Sequence, residues 1–264
     1  MIIDFHTHCF PDSLAPKAIP ALSHRSGNAK PVFDGTAGGL KKAVRDAGAD
    51  RAVVLNIATN PHQQRKVNDF AVSLLGDDTL IPFGSVHYES PDALDEINRL
   101  HDAGIKGVKL HPDYQGFFVD DERLFPIYEK LGELNMITSF HAGVDIGMPD
   151  PVFCTPQRLR RALPYFGGAP VIAAHMGGFL LWREVADSLA DTGTFIDSSF
   201  SCGALPPDWA KELISAFGAQ RVLLGSDMPW SSTADETDYI KSLDLDADVE
   251  APILGGNAQR LLGI

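Results

Sequence analysis

Short apolar, β-branched runs alternate with amphipathic stretches eight times along the chain, and this alternation constrains its fold more than any other feature. The runs fall at 2–5, 51–57, 81–86, 107–111, 136–141, 170–175, 193–197 and 221–226. Several, such as Ala52-Val53-Val54-Leu55, are apolar at consecutive positions. Strands buried on both faces read this way, as in parallel sheets covered by helices. The segments 40–47, 61–75, 92–103, 121–134, 156–163, 181–190, 207–217, 235–243 and 257–262 carry apolar residues at helical spacing. Asp92 and Thr155-Pro156 mark helix starts, and Gly48 and Gly104 stand at helix-to-strand turns. The pattern predicts an α/β protein, a (β/α)8 TIM barrel forming one domain over 1–264. An open doubly wound sheet is the alternative. The longest insertion, at about 9–39 after the first strand, is rich in Pro, Ser and Gly and is expected to shape the catalytic face.

A chain of 264 residues, 44% hydrophobic, can bury a large core without disulfides or structural metal. Any metal it binds is therefore expected to serve chemistry. The net charge of −13 opposes a phosphate backbone and argues against a nucleic-acid partner. Cys9, Cys154 and Cys202 form neither a disulfide framework nor a zinc-type pair, and read as reduced thiols. No basic-then-apolar leader or membrane-length apolar run occurs. The expectation is a soluble, cytoplasmic protein acting on a small molecule, away from membranes, with a homodimer left open.

The chemistry-bearing residues cluster at strand ends. His6 and His8 close the first run; strand side chains two apart share a face, so both imidazoles can aim at one ion. His-x-His alone is a weak signal. His141 and His175 end the fifth and sixth runs, and Asp227 follows the eighth. Barrel active sites occupy the C-terminal ends of the strands, so these residues point to one site in combination.

Six segments carry a family resemblance: Asp4-Phe5-His6-Thr7-His8, Gly107-Val108-Lys109-Leu110-His111-Pro112, Phe140-His141, Ala174-His175-Met176-Gly177-Gly178, Gly225-Ser226-Asp227-Met228-Pro229-Trp230 and Gly256-Asn257-Ala258-Gln259-Arg260-Leu261-Leu262. In this order they resemble the amidohydrolase superfamily, in the branch called amidohydrolase family 2, which includes decarboxylases similar to aminocarboxymuconate semialdehyde decarboxylase. The resemblance implies that His6, His8 and His141 bind a divalent metal, that Asp227 completes or adjoins its shell, and that His175 and Asp227 handle protons. It also raises Lys109 as a carboxylated bridge between two metals. The other reading of Lys109 is a cation that meets a substrate carboxylate. His111, Gln115 and Trp230 are candidates for substrate contact, with Tyr114 in the same loop as Gln115. His87 is divided between the pocket and rim packing, while His24, His62 and His101 read as surface residues. Arg158, Arg160 and Arg161 read as a solvated helix face.

The expected activity is metal-dependent hydrolysis of a C–N or C–O bond in an amide, lactone or cyclic imide, through metal-activated water. The alternative is non-oxidative decarboxylation of a small unsaturated or aromatic acid. The compact length inclines the reading towards hydrolysis. A barrel-type nuclease and a non-catalytic scaffold are weaker options. Zinc, as one ion, suits the His-rich set; two ions, or manganese or iron, remain open.

Overall fold

A computed structural model describes residues 1–264. Its eight strands are β1 (Ile3–Thr7), β2 (Arg51–Leu55), β3 (Leu80–Phe83), β4 (Gly107–Leu110), β5 (Ile137–Phe140), β6 (Val171–Ala173), β7 (Phe195–Asp197) and β8 (Val222–Leu223). All eight expected runs form strands, most of them ending earlier than the apolar pattern does. The trimmed positions leave the sheet and become loop residues, where a polar side chain can turn into a cavity.

The chain forms two compact units. One comprises Met1–Val54, Asp77–Ile81 and Ile196–Ile264; the other comprises Leu55–Gly76 and Pro82–Phe195. In the first unit β1 runs parallel to β2, with Ile3 opposite Arg51 and Asp4 opposite Ala52. There β7 runs parallel to β8, with Ile196 opposite Val222. The β8 end then joins β1: Phe5 N donates to Leu224 O at 2.7 Å, and Asp227 N donates to His6 O at 2.8 Å. The last strand thus lies beside the first, as in a barrel; an open doubly wound sheet separates them.

In the second unit β4, β5 and β6 are parallel neighbours, with Lys109 opposite Ser139 and Phe140 opposite Ala173. Gly84, just past β3, accepts from Lys109 N at 2.8 Å. Every residue of β1, β4, β5 and β6 is buried, which accounts for their unbroken apolar character.

The helices follow from local signals. Thr155 accepts from Arg158 N and caps Pro156–Ala162; Thr36 does the same for Ala37–Asp46 through Gly39 N. Ala93–Ala103 buries Ile97 and Leu100 and stops at Gly104, whose φ of 95° suits a residue without Cβ. Asp92 occupies that helix's N-cap but makes no capping bond; its carboxylate instead accepts from Gln64 and Ser90 side chains. The 9–39 insertion contains a helix, Ala15–Arg25, that its composition hides because Pro16 and Pro20 lie within it.

Candidate metal and catalytic site

In the first unit, the end of β1 and the turn after β8 bring His6, His8 and Asp227 together. Asp227 Oδ1 lies 3.3 Å from His6 Nε2 and 3.1 Å from His8 Nε2. The two imidazole planes cross at 73° with centroids 5.2 Å apart, and ligand atoms of His6, His8 and Asp227 all lie within 4.8 Å of one another. Two ligands at roughly 2.0–2.1 Å from a tetrahedral ion stand about 3.3 Å from each other. The donor spacing therefore fits a divalent cation, and the neutral-imidazole and carboxylate set has the right chemistry for one. Asp227 holds a left-handed backbone, φ 71°, which is uncommon outside glycine and directs its carboxylate at the histidines.

Buried groups set this geometry. His6 Nδ1 lies 3.0 Å from Asp197 Oδ2 and 3.0 Å from Ser199 Oγ. Asp4 ties three pieces of chain together, accepting from His6 N at 3.1 Å, Ser226 N at 2.9 Å and Thr233 Oγ1 at 2.5 Å. Burial pushes the Asp4 carboxyl up to about 6 despite these bonds. Glu236, also fully buried, accepts from Cys202 N at 3.1 Å and from Ser231 Oγ at 3.3 Å.

The second unit holds another group: His111, His141 and Asp145, whose ligand atoms lie within 4.8 Å of one another. Its rings are arranged differently. His111 and His141 stack at 4.3 Å with planes only 8° apart, and Tyr114 stacks on His111 at 3.9 Å. His175 Nε2 lies 3.0 Å from His141 Nδ1, and Trp182 Nε1 donates to His175 O, supporting a left-handed residue with φ 60°. The Asp113 carboxyl is fully buried and lies 3.8 Å from His111 Nδ1. Burial and the neighbouring Asp145 push it up to about 7. Lys109, on β4, is also fully buried in this unit.

Other expected residues have narrower roles. Gln115 donates to Ala58 O and Val86 O and accepts from His111 N, so its amide is used in joining three backbone segments and is taken up by structure. Trp230 is half-buried beside Asp227, its N–H donating to Asp227 O. His87 is buried and stacks on Tyr88, and burial pulls its imidazole below the ordinary range. His24, His62 and His101 are exposed, as expected. Arg158 and Arg161 pair with Asp120, and Arg160 pairs with Asp191. Burial, with Asp12 and Asp77 adding to it, pushes the Cys9 thiol up to about 12, away from the thiolate form a nucleophile needs.

Asp4, Asp197, Ser199, Asp113 and Asp145 were not singled out from the sequence. For Asp197 the available signal was an acid closing an otherwise apolar run, Phe195-Ile196-Asp197.

The family model for amidohydrolases matches residues 3–264. The chain belongs to the amidohydrolase family. It is thereby an enzyme of a superfamily of metal-dependent hydrolases and decarboxylases. An uncharacterized TIM-barrel protein from Bordetella bronchiseptica superposes with a TM-score of 0.81 at 21% identity, covering 99% of this chain and 98% of its own. The 5-carboxyvanillate decarboxylase LigW from Sphingomonas paucimobilis gives 0.77 at 17% identity, over 100% and 99%. A dihydroxybenzoic acid decarboxylase from Polaromonas, solved with manganese and the inhibitor 2-nitroresorcinol, gives 0.72 at 14%, over 99% and 96%. At these identities the likeness is one of fold, and the fold is the expected TIM barrel. The curated proteins include no match. No helix is long and apolar enough to cross a membrane.

Proposed function

We propose that this amidohydrolase is a metal-dependent, non-oxidative decarboxylase of a small aromatic or unsaturated carboxylic acid. The observation that carries the metal is the convergence of His6 Nε2 and His8 Nε2 on Asp227 Oδ1 at 3.3 and 3.1 Å. Decarboxylases among the similar structures favour this chemistry over hydrolysis. The inclination towards hydrolysis rested on compact length, and superposition over 99% of the LigW chain removes that distinction.

His6, His8 and Asp227 would hold the ion; the family resemblance adds His141, a reading carried by motif order. A divalent cation bound there supplies Lewis-acid polarisation of substrate oxygen and neutralises the substrate's charge. Zinc suits the His-rich set, and manganese is the ion in the Polaromonas enzyme. Asp227, whose side chain keeps 17% exposure, would in this reading carry the proton that reaches the substrate carbon. The new C–H bond takes its electrons from the ring or alkene double bond; the C–C bond to the carboxylate then breaks, its electron pair restores that double bond, and CO2 leaves. His175 is the second proton carrier in this reading, and Lys109, His111 and Trp230 are the proposed substrate contacts.

A panel of aromatic and unsaturated acids, lactones and amides, assayed with Mn2+ or Zn2+, tests the proposal. The expected result is CO2 release from at least one acid, abolished by chelation. Acid release from lactones or amides without any CO2 would contradict it.

A further inference from the structure

We propose that Asp197 is the positioning residue for the metal centre, acting through His6 to fix the tautomer that presents the Nε2 lone pair to the ion. The inference rests on the metal reading above and goes beyond it by assigning an acid on a different strand.

Asp197 closes β7 and is fully buried. Its Oδ2 lies 3.0 Å from His6 Nδ1. Its Oδ1 accepts from Ser199 N at 3.1 Å and also from the Ser199 hydroxyl. Because that hydroxyl donates to Asp197, it turns a lone pair towards His6 Nδ1, 3.0 Å away. Two acceptors therefore face Nδ1, and the proton of a neutral His6 is held there. Nε2 faces a single, more distant carboxylate oxygen, Asp227 Oδ1 at 3.3 Å, and in that tautomer it presents its lone pair on that side. In free neutral histidine the proton prefers Nε2, so the Asp197–Ser199 pair reverses an intrinsic preference. The buried carboxylate also increases the electron density His6 offers an ion, the effect by which outer carboxylates tune ligating histidines. Neither Asp197 nor Ser199 has to touch substrate.

The experiment uses full-length protein stripped with chelator, comparing wild type with Asp197→Asn and Asp197→Ala. Nitrogen-15 NMR reads the His6 tautomer in the metal-free state, and calorimetric titration with MnCl2 or ZnCl2 reads affinity. Wild type is expected to show His6 protonated at Nδ1. Asp197→Asn, which can still present an amide oxygen, should keep that tautomer and bind about tenfold more weakly; Asp197→Ala should shift the tautomer and lose about 10–100-fold. If Asp197→Ala does not fold, Asp197→Asn carries the affinity comparison. A merely structural aspartate would lower the melting temperature while leaving tautomer and affinity alone. An unchanged tautomer in folded Asp197→Ala, or affinity within about twofold of wild type in both variants, would overturn the assignment. Wild-type protein that takes up neither ion overturns the proposed function, and the tautomer still decides the role of Asp197.

Discussion

At the residue scale, the proposed metal site rests on His6, His8 and Asp227, and the buried acids Asp4 and Asp197 brace His6. Asp227→Ala removes the carboxylate on which both imidazoles converge; it is expected to lose the ion under dialysis that leaves wild type loaded, as elemental analysis would show. Glu236 gives a second prediction. Burial raises its carboxyl well above the ordinary 4.5; hydrogen bonds from Cys202 N and Ser231 Oγ act against the shift, and nearby Asp4 adds to it. The folded state thus binds this proton more tightly than the unfolded state does. Its stabilisation is complete below 4.5 and is lost as pH rises through the folded value. Asp4, raised to about 6, contributes with the same sign. Urea midpoints of wild type should therefore decline as pH rises above about 4.5, and Glu236→Gln should flatten that decline without abolishing it. A midpoint that climbs through this range would contradict the sign.

At the scale of elements, the ends of β8 and β1 approach so closely that side-chain volume decides whether they fit. A Cβ at Gly225 would stand 2.9 Å from His6 Cβ and 3.2 Å from Ser199 Cβ. Gly225→Ala is expected to cost about 1–3 kcal/mol in urea melts and to weaken metal binding by displacing His6. Gly143, two residues beyond His141, has φ +87°, and a Cβ there would meet Phe179 N at 2.1 Å. Gly143→Ala should cost about 2–4 kcal/mol, read from the same melts. The elements themselves were legible because consecutive apolar residues, as in Ala52-Val53-Val54-Leu55, can be satisfied only by burial on both faces. His6, His8 and Asp227 were legible because each follows such a run. Asp197 was not, because one acid at a strand end looks the same whether it faces solvent or an imidazole. The backbone bonds of Gln115 were not legible for a related reason: its sequence neighbours do not reveal that its amide joins the Ala58, Val86 and His111 segments.

At the scale of the whole molecule, the resemblance to amidohydrolases runs through nearly the entire chain, from residue 3 to residue 264. The sequence motifs point to a candidate metal site without choosing between the two bond-breaking reactions, since the proposed ligands would serve hydrolysis and decarboxylation alike. Ligand-linked stability gives a prediction independent of substrate. Free metal at about 100 times its Kd should stabilise the fold by about 2.7 kcal/mol, seen as a raised thermal midpoint that chelator reverses. The most direct test of the central claim is metal content, measured by plasma mass spectrometry on wild type, His6→Ala and His8→Ala after Zn2+ or Mn2+ supplementation and dialysis. The account predicts about one ion per wild-type chain, as a single three-donor site requires, and almost none in either folded variant. A wild-type chain without metal, or variants as fully loaded as wild type, would contradict it.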